Sequence, residues 1–251
     1  MNWIKKKTLS VDIGNSRIKL LDDDIFSVFE LHHDDWLKKI EKYLFDNNDY
    51  KFIVVSSVNQ EAYLCLSKLF KEKGVQFANA ADILEKSRII NFSRVEGMGI
   101  DRRLGLIAAV GEFAPPLVTV DCGTAITINI LIEPNIALGG AIFPGLRTQT
   151  KALQQFTSLL PLVEPVKPAS IYGTNTIEAI QIGVFSSVIG GIKEVVTSLS
   201  RKKLKRQKPK VIVTGGDGAL VAENLSGFDV HYEPNLVLKG LQKLAKSVNI
   251  L

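Results

Sequence analysis

Hydrophobic and polar positions change period several times along the chain, and each change marks a predicted element. Leu9, Val11 and Ile13 alternate with polar neighbours, so 8–13 reads as a strand with one buried face. Two more strand-like runs follow at 16–21 and 25–30, the latter after the turn-forming LDDD. WLKKIEKYLF (36–45) and EAYLCLSKLFKEKG (61–74) have the spacing of amphipathic helices and enclose FIVVSS (52–57), an apolar run of buried-strand type. The second helix ends on lysines and Gly74, a C-terminal signal. A third helix is predicted from Ile100 through DRRLGLIAAVGEF, and Pro115-Pro116 then breaks the chain.

The second half repeats the scheme. Strands are predicted at 117–121, 125–132 and 136–143, and the pattern turns helical from Gly145 until the proline-rich PLVEPVKP (161–168). A long helix over 176–201 precedes the buried strand KVIVTGG (210–216), a short helix and a final helix near 235–247. Each half thus has strands in succession, then helices, then another strand: mixed α/β, not strict βαβ alternation. The expected boundary divides the chain into 1–115 and 116–251. Both halves open with strand–Asp-x-Gly–strand, as VDIGNS (11–16) and VDCGTA (120–125), the pattern of a duplication.

Composition narrows the setting. With 251 residues, 46% hydrophobic and 23% charged, the chain can bury one large core or two small ones and is ordinary for a soluble protein. No uninterrupted apolar run reaches 18 residues, so no membrane span is expected. MNWIKKKTLSVDIG lacks the apolar core of a signal peptide. Cys65 and Cys122 form neither metal spacing nor a disulfide framework, which points to a reduced, cytoplasmic location. His32, His33 and His231 likewise show no ligand spacing. Much of the net charge of +5 sits in RKKLKRQKPK (201–210). No aromatics interleave it, so it reads as the solvated end of the long helix and a loop closed by Pro209, and nucleic-acid binding is not expected.

The paired Asp-x-Gly turns carry the chemistry. Gly14 and Gly123 permit either a turn with positive φ or close approach of a ligand to the backbone. Backbone N–H groups with Asn15, Ser16 and Thr124 could face phosphate oxygens. Asp12 and Asp121 would repel phosphate unless a cation intervened, so the pair implies a metal–nucleotide site where two hairpins face each other. Lys19 either reaches a terminal phosphate or faces solvent. Thr127 and Asn129 follow from strand alternation alone. VIVTGGDGAL (211–220) is either a nucleotide-contacting turn or a tight strand-to-helix turn, and it is neither a P-loop nor GxGxxG. In EGMGIDRRLGL (96–106), Asp101 is either a structural carboxylate at a helix N-terminus or a base, with Arg102 beside an anionic substrate. Gly139-Gly140 would let strand 136–143 approach the second hairpin, and Thr174 or Thr176 would cap the long helix.

In order, DIGNSRIK (12–19), GIDR (99–102), DCGTAIT (121–127), GGAIFPG (139–145), GTNT (173–176) with IQIG (180–183), and VTGGDG (213–218) resemble the motifs of the type III pantothenate kinases. These belong to the acetate/sugar kinase–Hsp70–actin superfamily. The resemblance implies two duplicated ribonuclease H-like (actin/hexokinase-type) domains, each a mixed sheet flanked by helices, with ATP in the cleft between them. It implies phosphorylation of the primary hydroxyl of pantothenate, the first step towards coenzyme A. Asp12, Ile13, Gly14, Asn15, Ser16, Arg17, Ile18 and Lys19 would form the first ATP-phosphate loop, and Thr124 would also contact ATP. Asp101 would be the catalytic base. Phe92, Gly99, Ile100 and Arg102 would line the substrate pocket, with Thr176 reaching in from the partner subunit of a homodimer. Asp121 would hold a monovalent cation, potassium or ammonium, and magnesium would arrive with ATP.

The chain departs from the family where Ser16 replaces a threonine, and where Phe92 and Val95 stand in place of a tyrosine and a proline. Losing the tyrosine hydroxyl would cost about 0.5–1.5 kcal/mol of substrate binding. Two rivals stand beside the enzyme: an accessory factor in transcription regulation, and a kinase for another small hydroxy acid. Retention of Asp101, Asp121, Thr124 and both turns favours catalysis.

Overall fold

A computed structural model describes residues 8–22, 25–46, 50 and 52–247. The lysine-bearing start inspected for a leader (1–7) and the turn residues Asp23 and Asp24 lie outside the described residues. β1 (Thr8–Ile13), β2 (Arg17–Asp22) and β3 (Ile25–Glu30) form an antiparallel meander. β4 (Phe52–Ser57) pairs in parallel with β1, and β5 (Gln76–Asn79) with β4, in the order β3-β2-β1-β4-β5. The helices α1 (Trp36–Phe45) and α2 (Gln60–Glu72) join β3 to β4 and β4 to β5, and α3 (Ala80–Lys86) and α4 (Ile100–Glu112) follow.

The later elements repeat this plan. β6 (Leu117–Cys122), β7 (Ala125–Ile132) and β8 (Ile136–Pro144) are antiparallel neighbours; β9 (Lys210–Thr214) pairs in parallel with β6, and β10 (Asp229–Tyr232) with β9. The order is β10-β9-β6-β7-β8. Numbered from its own first strand, each sheet therefore runs 3-2-1-4-5 with the same strand directions. This is a duplicated ribonuclease H-like fold, with α5 (Leu146–Phe156), α6 (Thr176–Lys202), α7 (Gly218–Ala222) and α8 (Leu236–Ser247) completing it.

Alternation along the central strands sorts core from site. Leu9, Val11 and Ile13 of β1 pack with Ile18 and Leu20 of β2, Ile53 and Val55 of β4, Ile40 and Leu44 of α1, and Leu66 and Phe70 of α2. The intervening Ser10 and Asp12 face the other way. In the second sheet Val118, Val120 and Cys122 of β6 pack with Ile126, Ile128, Val211 and Val213. Ile180, Val184, Val188, Ile192, Val196 and Leu199 supply one stripe of α6 to that core, with Thr119 and Asp121 on the opposite face of β6. Each fully buried aliphatic side chain contributes about 1.5–3 kcal/mol. α6 is long and apolar enough, by length and composition, to cross a membrane, with 33% of its most apolar window buried. Polar Asn129 is buried because its amide donates to Thr119 Oγ1, 3.1 Å away across the ladder.

Helix ends follow local chemistry. α2 closes in a Schellman motif: Gly74 has φ 67°, its N–H donates to Lys71 O (3.1 Å), and Val75 N–H donates to Phe70 O (2.9 Å). The cap of α6 is Asn175, between the two threonines named from the sequence. Its Oδ1 accepts from Glu178 N–H at 3.0 Å, while Thr174 donates both N–H and hydroxyl to Glu178. These two donors hold the Glu178 carboxyl below its ordinary range. The basic run forms the last turn of α6 and an exposed turn with positive φ at Lys205 and Arg206.

Backbone packing yields a first unit of Met1–Ile90, Glu96–Gly111 and Leu236–Leu251, and a second of Asn91–Val95 and Glu112–Asn235. The simple cut at 115–116 therefore misassigns α8, which packs on β1, β4 and α3. α8 crosses α4 at Gly240, where a Cβ would lie 2.7 Å from the Leu104 carbonyl carbon and closer still to its oxygen. Only a glycine allows that approach. Gly240→Ala should therefore lose about 1–3 kcal/mol of stability, read as a lower midpoint in urea denaturation with unchanged slope.

Candidate active site

Asp12 and Asp121 occupy the same place in the two sheets, the penultimate residue of a six-residue central strand. Each central strand has an antiparallel neighbour on one side and a parallel one on the other. Open α/β sheets bind ligands beyond the carboxyl ends of such strands. Asp12 is 8% exposed and lies opposite Lys19 of β2 and Ser56 of β4; Asp121 lies opposite Thr127 and Thr214. Lys19 thus shares a face with Asp12, away from the apolar core.

The first hairpin is closed by Gly14 N–H donating to Arg17 O at 2.9 Å, and Leu31 N–H donates to Ser16 O. Asn15, Ser16 and Arg17 are exposed, and Arg17 Nε bonds Glu30 at 2.6 Å. Ile13 and Ile18, two further residues of that loop, are fully buried core. The second hairpin is closed by Gly123 N–H to Ala125 O (3.2 Å) and leaves Thr124 exposed. Neither hairpin glycine has a positive φ. A Cβ at Gly123 would meet nothing nearer than 3.7 Å, so the value of glycine there lies in leaving its outer side open.

The elements that buttress the second hairpin differ from those expected. Gly140 approaches the Ile128 carbonyl on β7, and Gly139 (φ 92°) sits at a bulge. It is Gly145, the N-cap of α5, that abuts the hairpin: its N–H donates to Thr124 O at 2.9 Å, and the Thr148 hydroxyl donates to the same oxygen at 2.6 Å. The hairpin thus abuts the N-terminal end of α5, the end of a helix that suits an anion.

On the other side lies the turn after β9. Gly215 has φ 95°, and a Cβ there would collide with the Asp121 carboxylate and with Cys122 O, 2.6 Å away. The carboxylate and main-chain oxygens of β6 thus converge on a place only a glycine leaves clear. Asp217 N–H donates to Cys122 O at 3.0 Å, and Arg147 Nε lies 3.9 Å from the Asp217 carboxylate while its Nη1 bonds Glu164 at 2.6 Å. Arg147, Thr148 and Asp217 went unnoticed in the sequence, although the last stands within VTGGDG. Burial pushes the Cys122 thiol well above its ordinary range, and the nearby Asp121 and Asp217 charges push it further.

Asp101 lies in the first turn of α4, as expected. Its Oδ1 is turned back so closely that a Cβ on Gly99 would lie 2.6 Å from it. Burial pulls the Arg102 guanidinium below its ordinary value, and the Asp101 charge opposes that pull. Ile100 begins the helix, while Asn91 of the segment carrying Phe92 and Val95 is bridged to Ile136 and accepts the Ser93 N–H. The first hairpin and Gly99–Arg102 thus belong to the first unit, and Phe92, Asp121, Thr124 and Thr176 to the second.

A family model described as type III pantothenate kinase matches residues 8–198. The chain belongs to the type III pantothenate kinase family. A type III pantothenate kinase of Sulfurihydrogenibium sp. (strain YO3AOP1) is 32% identical over 95% of this chain and 99% of its own. Among solved structures, a Campylobacter jejuni protein named as a Baf family transcriptional activator matches with TM-score 0.68 and 25% identity, over 97% of this chain and all of its own. A Sinorhizobium meliloti protein named as a 2-dehydro-3-deoxygalactonokinase shares the fold, with TM-score 0.59 and 12% identity over 97% of each chain.

The two thiols sit in different surroundings, Cys122 at the end of β6 and Cys65 on α2. Thiolates are the reactive form, and Cys122 is buried beside two carboxylates while Cys65 is partly exposed. Iodoacetamide should label the native chain at Cys65 alone and reach Cys122 only in denaturant, as counted by intact-mass spectrometry.

Proposed function

We infer that the chain transfers the terminal phosphoryl group of ATP to the primary hydroxyl of pantothenate. The observation that carries this reading is the family match over residues 8–198, within which Asp101 stands in the first turn of α4. Phosphoryl transfer needs positioning and charge compensation more than covalent catalysis. Asp101 accepts the proton of the attacking hydroxyl, and Arg102 beside it attracts the substrate carboxylate. Gly99, Ile100 and Phe92 line the substrate pocket. Backbone N–H groups of the first hairpin, with the side chains of Asn15, Ser16, Lys19 and Thr124, hold the ATP phosphates, and magnesium arriving with the nucleotide would neutralise their charge.

Asp121 holds a monovalent cation, potassium or ammonium. The support is chemical: a carboxylate and the Cys122 carbonyl converge beside Gly215, and oxygen donors of this kind suit a hard cation. Thr176 completes the site of a second copy in a homodimer. Along the stretch from the end of α5 to the first turn of α6, Phe156, Leu159, Ile171 and Ile177 are 81%, 91%, 92% and 51% exposed, apolar side chains that a second copy would cover. The cytoplasm, with its reduced thiols, is the proposed location.

Turnover of ATP with and without pantothenate, in potassium and in sodium buffer, tests the reaction. Activity should depend on pantothenate and on potassium, and Asp101→Asn should lower kcat by about 10²–10⁴-fold. ATP binding without any pantothenate-dependent turnover would move the reading to another hydroxy acid or to a regulatory role. The shared site is tested by mixing Asp101→Asn with Thr176→Ala chains. Each alone should be nearly inactive, and random re-pairing should restore about a quarter of wild-type activity. No recovery in demonstrated mixed dimers would place Thr176 in the same subunit's site.

A further inference from the structure

At the open edge of the second sheet, three side chains of metal-ligating type meet. Glu112 ends α4, His231 lies on β10, and Glu233 follows two residues later. A two-residue step along an extended chain puts His231 and Glu233 on one side of the strand. One ligand atom from each of the three, an imidazole nitrogen and two carboxylate oxygens, lies within 4.8 Å of the others. None of these residues belongs to the kinase machinery described above.

We propose that Glu112, His231 and Glu233 bind a divalent transition-metal ion, with zinc the best fit. The donor set is one nitrogen and two oxygens, and imidazole with carboxylate suits zinc at about 2.0–2.2 Å. Two of the ligands are held in place before any ion arrives. The His231 ring packs against Phe113, centroids 5.0 Å apart, and its backbone is paired with Ile212 in the ladder. Glu233 is 8% exposed; its N–H donates to Val213 O at 2.8 Å and its Oε1 accepts from Asn235 N–H at 3.0 Å. Glu112 is exposed at the end of α4. Ligands 2.2 Å from a common ion lie at most about 4.4 Å apart, close to the bound on the three atoms as they stand. Lys210, whose ammonium lies 5.2 Å from the centre of the Phe113 ring, is paired with Asp229 at 2.7 Å, so its charge is compensated. Three protein ligands leave a fourth position for water. The bound ion would tie the last residue of α4 to β10.

The chain has three histidines, and the exposed pair His32–His33 beside Glu30 could take up zinc weakly. The test therefore uses the untagged full chain with His32→Ala and His33→Ala, which leaves His231 as the sole imidazole. Calorimetric titration with zinc chloride should give one ion per chain with micromolar or tighter affinity. Zinc should raise Tm by about 3–8 °C, and cobalt chloride should give visible absorption bands of low coordination number. Adding His231→Ala or Glu112→Gln should weaken binding at least tenfold, whereas Asp121→Asn should leave it within twofold. Glu112 is exposed, so Glu112→Gln decides the matter even where His231→Ala folds poorly. Absence of stoichiometric binding, or affinity within twofold of the parent in Glu112→Gln, overturns the proposal.

Discussion

A carboxylate near the end of a buried central strand is the constraint on which both halves of this protein depend. Removing a carboxylate from water is costly unless donors or cations replace the hydration. The fold meets that cost twice in the same manner. In each sheet the aspartate is the penultimate residue of the first strand, facing away from the apolar cluster that its own strand anchors. Alternation does the sorting: one residue earlier or later, the charge would fall among the packed leucines and valines.

The surroundings of the two aspartates then diverge, and with them the chemistry. Around Asp12 the ladder supplies Lys19 and Ser56, a basic and a hydroxylic neighbour. Around Asp121 come a second carboxylate at Asp217, the close backbone of Gly215, and the first turn of α5 bonded to Thr124. The first set adds a cation and a hydroxyl beside the carboxylate; the second adds a further negative charge. A duplicated scaffold thus carries two unlike aspartate environments, and Asp101 lies on a helix whose packing requires a glycine at position 240.

Much of this was legible before any coordinates. Long periodic elements such as α2, α6, β6 and β7 were readable because their burial repeats over many residues. Short edge elements were not: β5 (QFAN) and β10 (DVHY) exist because β4 and β9 offer a parallel ladder to pair with. The site was legible where residues adjoin in sequence, as in the two hairpins and GIDR. It was illegible where partners come from afar, as with Arg147 beside Asp217, or His231 between Glu112 and Glu233. His231 showed no ligand spacing because Glu112, its distant neighbour, comes from the end of α4, more than a hundred residues earlier.

The sequence by itself determined the periodicity of the main elements, the two Asp-x-Gly turns and, by resemblance, the family. These are local properties: a strand's alternation or a turn's glycine is written in consecutive residues. The tertiary structure alone decided that α8 returns to the first sheet, that Gly145 rather than Gly139-Gly140 meets the second hairpin, and that Glu112 reaches β10. Each of these is a contact between distant segments, chosen by which apolar faces must be buried together, and neither periodicity nor motif encodes that choice.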